Sequence, residues 1–231
     1  MRGGEAMFGG GFLVSLERTL DWWPMILGGF WVTIQISFGA VITGLVLGSI
    51  IAYFKMSRIK ILQFISFVYL AVIRGTPAVM QIILISFIFF SGFRGNRVWI
   101  GIVALGINSG AYVAEIIRAG ILSIDKGQTE AGLSLGFTRL QTMRYIVMPQ
   151  AVKNILPTYI NEFIIMIKET AIVGFVGIQD LTRIGMQIQT RTFDIMPLLV
   201  TAVIYLSLLS FLTLLLSLFE KRLRASERDS N

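Results

Sequence analysis

The sequence predicts an all-α integral membrane protein with five transmembrane helices, and three observations carry that expectation. Hydrophobic residues make up 55% of the 231 positions and charged residues only 14%, where a soluble domain carries about 25%. The mean hydropathy is +0.77. Five stretches reach the roughly 20 apolar residues that a helix needs to cross the hydrocarbon core: Met25–Phe54, Ile61–Phe90, Val98–Ile121, Ile155–Ile178 and Ile195–Phe219.

The first residues, 1–24, form an extracytoplasmic N-terminal segment. Within it, Phe8–Leu20 is too short to span and carries Glu17 and Arg18. Trp22 and Trp23 follow, so the segment reads as an interfacial helix leading into the first span. It lacks the small-residue cleavage site of a signal peptide. Residues 25–219 make the transmembrane domain, with a cytoplasmic loop over 122–154 and a cytoplasmic tail over 220–231.

Orientation follows from basic residues, which concentrate on the cytoplasmic side. Eleven lie on one side, in the groups Lys55 to Lys60, Lys126 to Lys153 and Lys221 to Arg228, and six on the other. The N-terminus is therefore outside and the C-terminus cytoplasmic. The net charge of +7 is mostly topological, and no basic surface with stacking aromatics lies outside the membrane for nucleic acid. With no cysteine and no histidine, disulfides, Cys-ligated metals and His-based catalysis are excluded. Rows of small residues, Ala40, Gly44 and Gly48 on the first span with Gly106 and Gly110 on the third, read as ordinary close helix packing.

The cytoplasmic loop contains a short helix. Thr129 suits its N-cap, Glu130 its positive first turn and Gly136 its end. Ala131 and Leu135 share one face; Leu133, Phe137 and Leu140 form another. Such a helix either enters a partner's groove or packs on its own bundle.

The residues of this loop carry a resemblance. Glu130, Ala131 and Gly132, then Gly136, Ile146, Met148 and Pro149 are spaced as in the EAA loop of ABC importer permeases. Gly132 stands where that pattern has alanine, and Met148 where it has leucine. Ile73–Pro77 with Gln81, Ala111–Gly120, Pro149–Pro157, Asn161, Lys168–Thr170 and Gln179–Arg183 resemble the branch that imports polar amino acids. The resemblance implies a type I ABC importer permease fold in the cell membrane. It also implies a loop, over Glu130, Ala131, Gly132, Leu133, Leu135 and Gly136, that docks into a separate ATPase. Partners would be two ATPase subunits holding ATP and Mg, a second permease chain, identical or paralogous, and an extracytoplasmic amino-acid-binding protein. The chain itself has no G-x-x-x-x-G-K-S/T phosphate loop, so ATP-driven work must come from outside it. No cofactor is expected in this chain, no residue is expected to be catalytic, and its other contacts are membrane lipid and the amino acid carried.

Charges at membrane depth cost at least about 2.5–3.5 kcal/mol on insertion scales, so each invites a function. At 1.5 Å per residue, Arg74 should lie roughly 20 Å from the inner side, Asn108 roughly 15 Å from the outer, and Lys168 and Glu169 roughly 20 Å from the inner. These groups are expected to converge near one depth, with Glu115, Arg118 and Glu162 closer to the cytoplasm. Pro77 should break the second span, with Thr76 capping an outer half-helix whose first residue is Pro77. Arg74 and Thr76 are candidates for the α-carboxylate of an amino acid, and Asn108, Glu115 or Glu169 for its ammonium. The plainer alternative is that these charges pair with one another and tie the bundle. A channel or proton-coupled carrier working without an ATPase is the other functional reading, through Glu115, Glu162 and Glu169.

Overall fold

The computed structural model describes residues 10–228, with side chains for residues 11–221. Arg2, Phe8 and the last residues of the expected tail, 229–231, lie outside the described residues, as do the side chains of Arg222, Arg224 and Arg228. Every regular element among the described residues is helical. The segment expected to be interfacial forms α1 (Gly10–Leu20), and α2 (Trp23–Met56) has Pro24 in its first turn, where the N–H that proline lacks would have no partner.

Helix α2 is apolar on all sides, so hydrophobicity does not choose which face is buried. Residue size does. Its buried stripe contains Gly29, Thr33, Ser37, Ala40, Gly44, Gly48 and Ala52, while Trp31, Phe38, Ile42 and Val46 point outward. Lipid is as apolar as leucine, so close backbone approach decides packing here. The partner is α5 (Val98–Leu122), which presents Gly101, Gly106 and Gly110. A Cβ on Gly48 would sit 2.9 Å from the Gly110 carbonyl oxygen and 2.7 Å from Val113, closer than packed atoms tolerate. The small-residue rows therefore meet each other across α2 and α5.

The expected second span is two helices, α3 (Lys60–Gly75) and α4 (Ala78–Phe89), bent by 109°. Thr76 and Pro77 between them are extended, because proline has no N–H and forces its predecessor out of the helical region. One detail of the expectation is corrected. Pro77 is itself the N-cap and α4 starts at Ala78, while the Thr76 hydroxyl turns back to donate to the Val72 carbonyl at 2.8 Å.

After α5 come α6 (Lys126–Ser134) and α7 (Arg139–Thr142), then a π-helical turn over Met143–Val147. Helix α8 (Met148–Glu169) follows and tightens into a 3₁₀ helix over Thr170–Val176. The expected fourth span thus starts seven residues earlier than Ile155 and ends in a different helical form. Helix α9 (Leu181–Thr192) occupies what the sequence suggested was an outer loop, and α10 (Met196–Arg228) ends the chain. Among the described residues, α2, α5 and α10 are long and apolar enough to cross a membrane singly, and α3 with α4 would make a fourth as a bent pair. Helix α8 does not reach that standard, since Gln150, Lys153, Asn154, Asn161 and Glu162 make it too polar.

Three hydrophobic clusters hold the bundle, and α2 contributes to each. Ile36, Ala40 and Val41 pack with residues of α4, α5 and α8. Ile51 and Ala52 pack with α3 and α5. Ile26 packs with Leu181, Ile184 and Ile188 of α9. At the N-terminal end of α2 the Arg191 guanidinium lies 5.7 Å from the Trp22 ring, a cation–π contact that ties α9 to the start of α2.

Candidate functional site

Two features stand out from the bundle: a protruding helical hairpin after α5, and polar groups between α2, α3, α4, α5 and α8. In the hairpin, the cap of α6 is Asp125, whose carboxylate accepts from the Gly127 N–H at 2.7 Å. Thr129, the expected cap, lies inside the helix. The expected end is borne out: Gly136 has φ +83°, which only glycine adopts without strain. Around it Phe137 N–H donates to the Gly132 carbonyl and Gly136 N–H to that of Leu133, the two bonds of a Schellman motif. Thr138 and Gln141 then form a reciprocal capping box that starts α7.

The π turn has a local cause in Pro149. It has no N–H for the Tyr145 carbonyl four residues back, so the helix widens by one residue and Met148 N–H donates to Met143 instead. Gly132 is the buried residue of α6. A Cβ there would lie 2.7 Å from Thr142 Cγ2 and 2.9 Å from Ile146 Cδ1, so an alanine at this position would crowd α7 and the π turn. The hairpin thus packs on its own base while its tip stays bare. Leu135 and Leu140 are 76% and 77% exposed, and Leu133, Phe137 and Tyr145 are exposed as well. Glu130 and Ala131 are also exposed.

The polar groups form two levels on α5, at Asn108 and, seven residues or about 10 Å further along its axis, at Glu115; Arg74, expected at the level of Asn108, meets Glu115 instead. At the first level Asn108 Nδ2 donates to Gln81 Oε1 at 2.9 Å, and neighbouring Ser109 donates to Glu162 at 2.9 Å. Asn108 is 3% exposed, and its carbonyl oxygen has no partner. Gln81 also closes the α3–α4 break: its amide nitrogen donates to the Ile73 carbonyl at 2.7 Å and to both the carbonyl and hydroxyl oxygens of Thr76. It thereby satisfies carbonyls that the interrupted helix leaves free.

The second level lies towards the end of α5. Glu115 receives three cations: Lys55 from α2, in direct ion pairing, Arg118 at 3.0 Å and Arg74 from α3 at 3.7 Å. Both carboxylate oxygens are engaged, so an ammonium reaching Glu115 would share it with these cations. The cluster keeps two positive charges in excess, beside a cleft of about 500 Å³ between α5 and α8. Lys168 and Glu169 sit at the opposite end of α8 from the α6–α7 hairpin. Lys168 is exposed, and neither forms an ion pair among the described residues. They do not meet Arg74, because six residues of helix carry them away from Glu162 in the other direction. Lys55 and Glu162 are site neighbours that sequence reasoning had placed elsewhere, and Gln81 had entered only as part of a resemblance.

This architecture recurs in known proteins. The chain is 38% identical over 217 residues to the arginine transport system permease protein ArtQ of Bacillus subtilis (strain 168), covering 93% of this chain and 99% of that one. It is 36% identical over 205 residues to the glutamine transport system permease protein GlnP of Escherichia coli (strain K12), covering 87% and 94%. A chain from the crystal structure of an amino acid ABC transporter with histidines superposes with a TM-score of 0.84 at 44% identity, over 90% of this chain and 98% of that one. A chain of the inward-facing MetNI methionine ABC transporter shares the fold, with a TM-score of 0.74 at 19% identity, covering 86% and 96%. Residues 44–225 match the model of the binding-protein-dependent transport system inner membrane components, and the chain belongs to that family.

Proposed function

We propose that this chain is the membrane-spanning permease subunit of an ATP-driven importer, carrying a polar or charged amino acid delivered by an external binding protein. The carrying observation is the bare apolar tip at Leu135 and Leu140, raised on a hairpin that is closed on its own base. It is shaped to enter a groove on an ATPase, where ATP and Mg would be held. Two ATPase subunits and a second permease chain, identical or paralogous, complete the assembly. The relatives, an arginine and a glutamine transport system permease protein, support the cargo class. Five crossings, with the N-terminus outside, result when α3 with α4 is counted as a broken second span and α8 with its 3₁₀ end as the fourth. Residues 25–219 are the transmembrane domain and residues 220–231 its cytoplasmic tail, into which α10 continues.

For the cargo, the best-placed carboxylate partner is Arg74, whose side chain is 49% exposed and held on one side by Glu115. The excess positive charge around it favours an anion. Thr76 lies at the break next to it, and the unpartnered carbonyl oxygen of Asn108 suits an ammonium once the helices part. ATP drives this cycle only by binding the inward-open and outward-open arrangements with different affinity. The test is uptake by proteoliposomes holding this chain with its ATPase and binding protein. Labelled arginine or glutamine should accumulate only with ATP on the ATPase side, and unlabelled polar amino acids should compete. Accumulation without ATP would favour the channel or proton-coupled reading.

A further inference from the structure

A nine-residue helix such as α6 is not stable by itself, so the hairpin can transmit a push only if its base is fixed to the bundle. Two polar pairs lie at that base. Asn154 Nδ2 donates to Ser123 Oγ at 2.9 Å, and Ser123 Oγ in turn donates to the Gly120 carbonyl at 2.8 Å. One turn away on α8, Gln150 Nε2 donates to Gln128 Oε1 on α6 at 3.2 Å and to the Ile146 carbonyl at 2.9 Å. Both of its N–H groups are thus used. Gln150 and Asn154 are four residues apart, so they share one face of α8, and that face meets the turn joining α5 to α6. Gly120 lies against Ile155 with no room for a Cβ, which brings the α5 and α8 backbones together at the same place.

We infer that Gln150 and Asn154 are positioning residues that clamp the docking hairpin to α8, so that the end of α5, α6 and the start of α8 move as one rigid body during transport. The inference rests on the importer reading and adds the route of the force. A push on the tip reaches α5, with Asn108 and Glu115, and α8, with Glu162, together.

Two experiments test it on the assembled complex in proteoliposomes. Gln150→Ala with Asn154→Ala should leave assembly and ATP hydrolysis within twofold of wild type. It should lower uptake at least fivefold, so that more ATP is consumed per amino acid carried, and speed hydrogen exchange across residues 126–134. Unchanged uptake per ATP with unchanged exchange overturns the clamp. The second experiment uses the absence of cysteine in this chain, which makes an introduced pair clean. Ser123→Cys with Asn154→Cys should form a disulfide under mild oxidation, and the oxidised complex should transport at the rate of the reduced one. Failure to form the bond, or uptake that stops on oxidation and returns on reduction, shows that the joint opens and overturns the clamp. A wild-type complex lacking ATP-driven uptake would instead sink the importer reading, while the exchange measurement still reports on the joint.

Discussion

Glu115→Gln should lower uptake at least tenfold and destabilise the solubilised protein, although the side chain keeps its shape. The substitution removes one negative charge from a cluster in which Lys55, Arg74 and Arg118 all face it. Three cations would then share a site on α2, α3 and α5 with no counter-charge. Breaking a buried pair costs about 3–5 kcal/mol. The cations here are 33–49% exposed, and solvent screening reduces that cost to about 1–2 kcal/mol. For a chain of this size the melting temperature should fall by roughly 2–8 °C. Adding Lys55→Met to Glu115→Gln restores the original excess of positive charge and should recover at least half of the lost stability. A melting temperature unmoved by Glu115→Gln would show that the cluster ties nothing together.

Leu135→Asp with Leu140→Asp should leave the fold intact and abolish transport. Both side chains already face solvent, so the permease alone should melt at its usual temperature. At a docking interface each leucine would lose about 1.5–3 kcal/mol of burial, and each aspartate would add a charge to an apolar groove. A total near 5 kcal/mol corresponds to a loss of affinity of roughly 10³–10⁴-fold. The ATPase should then no longer co-purify with the permease. Co-purification at wild-type yield would move the docking surface elsewhere.

What the sequence reveals and what it hides follow from how each element is stabilised. Helices α2, α5 and α10 are legible because their length in apolar residues is a requirement set by the bilayer. The break at Pro77 and the turn at Gly136 are legible because each depends on one residue's backbone chemistry. Helix α9 was missed, although Asp180 caps it with bonds to the Thr182 and Arg183 N–H groups. Leu181, Ile184 and Ile188 were a signal that could have found it, since they recur at helical spacing and are buried. Its polar outer face masked that stripe. Lys55 looked like an inner-loop charge because its pairing with Glu115 joins residues sixty positions apart, and spacing along one helix cannot show that. The depth estimate failed for a related reason. It counted residues along each span separately, and such counting cannot show which residue of a neighbouring helix a long side chain reaches: Arg74 meets α5 at Glu115, seven residues from Asn108.

The account rests on a division of labour, in which this chain forms the path and a neighbour's nucleotide cycle moves it through the tip of the α6–α7 hairpin. The most direct measurement compares amino acid accumulation in proteoliposomes containing this chain alone with those containing it together with the ATPase, both supplied with binding protein and ATP. The expected result is accumulation against a gradient with the ATPase present and none without it. Equal accumulation by the chain alone would contradict the account.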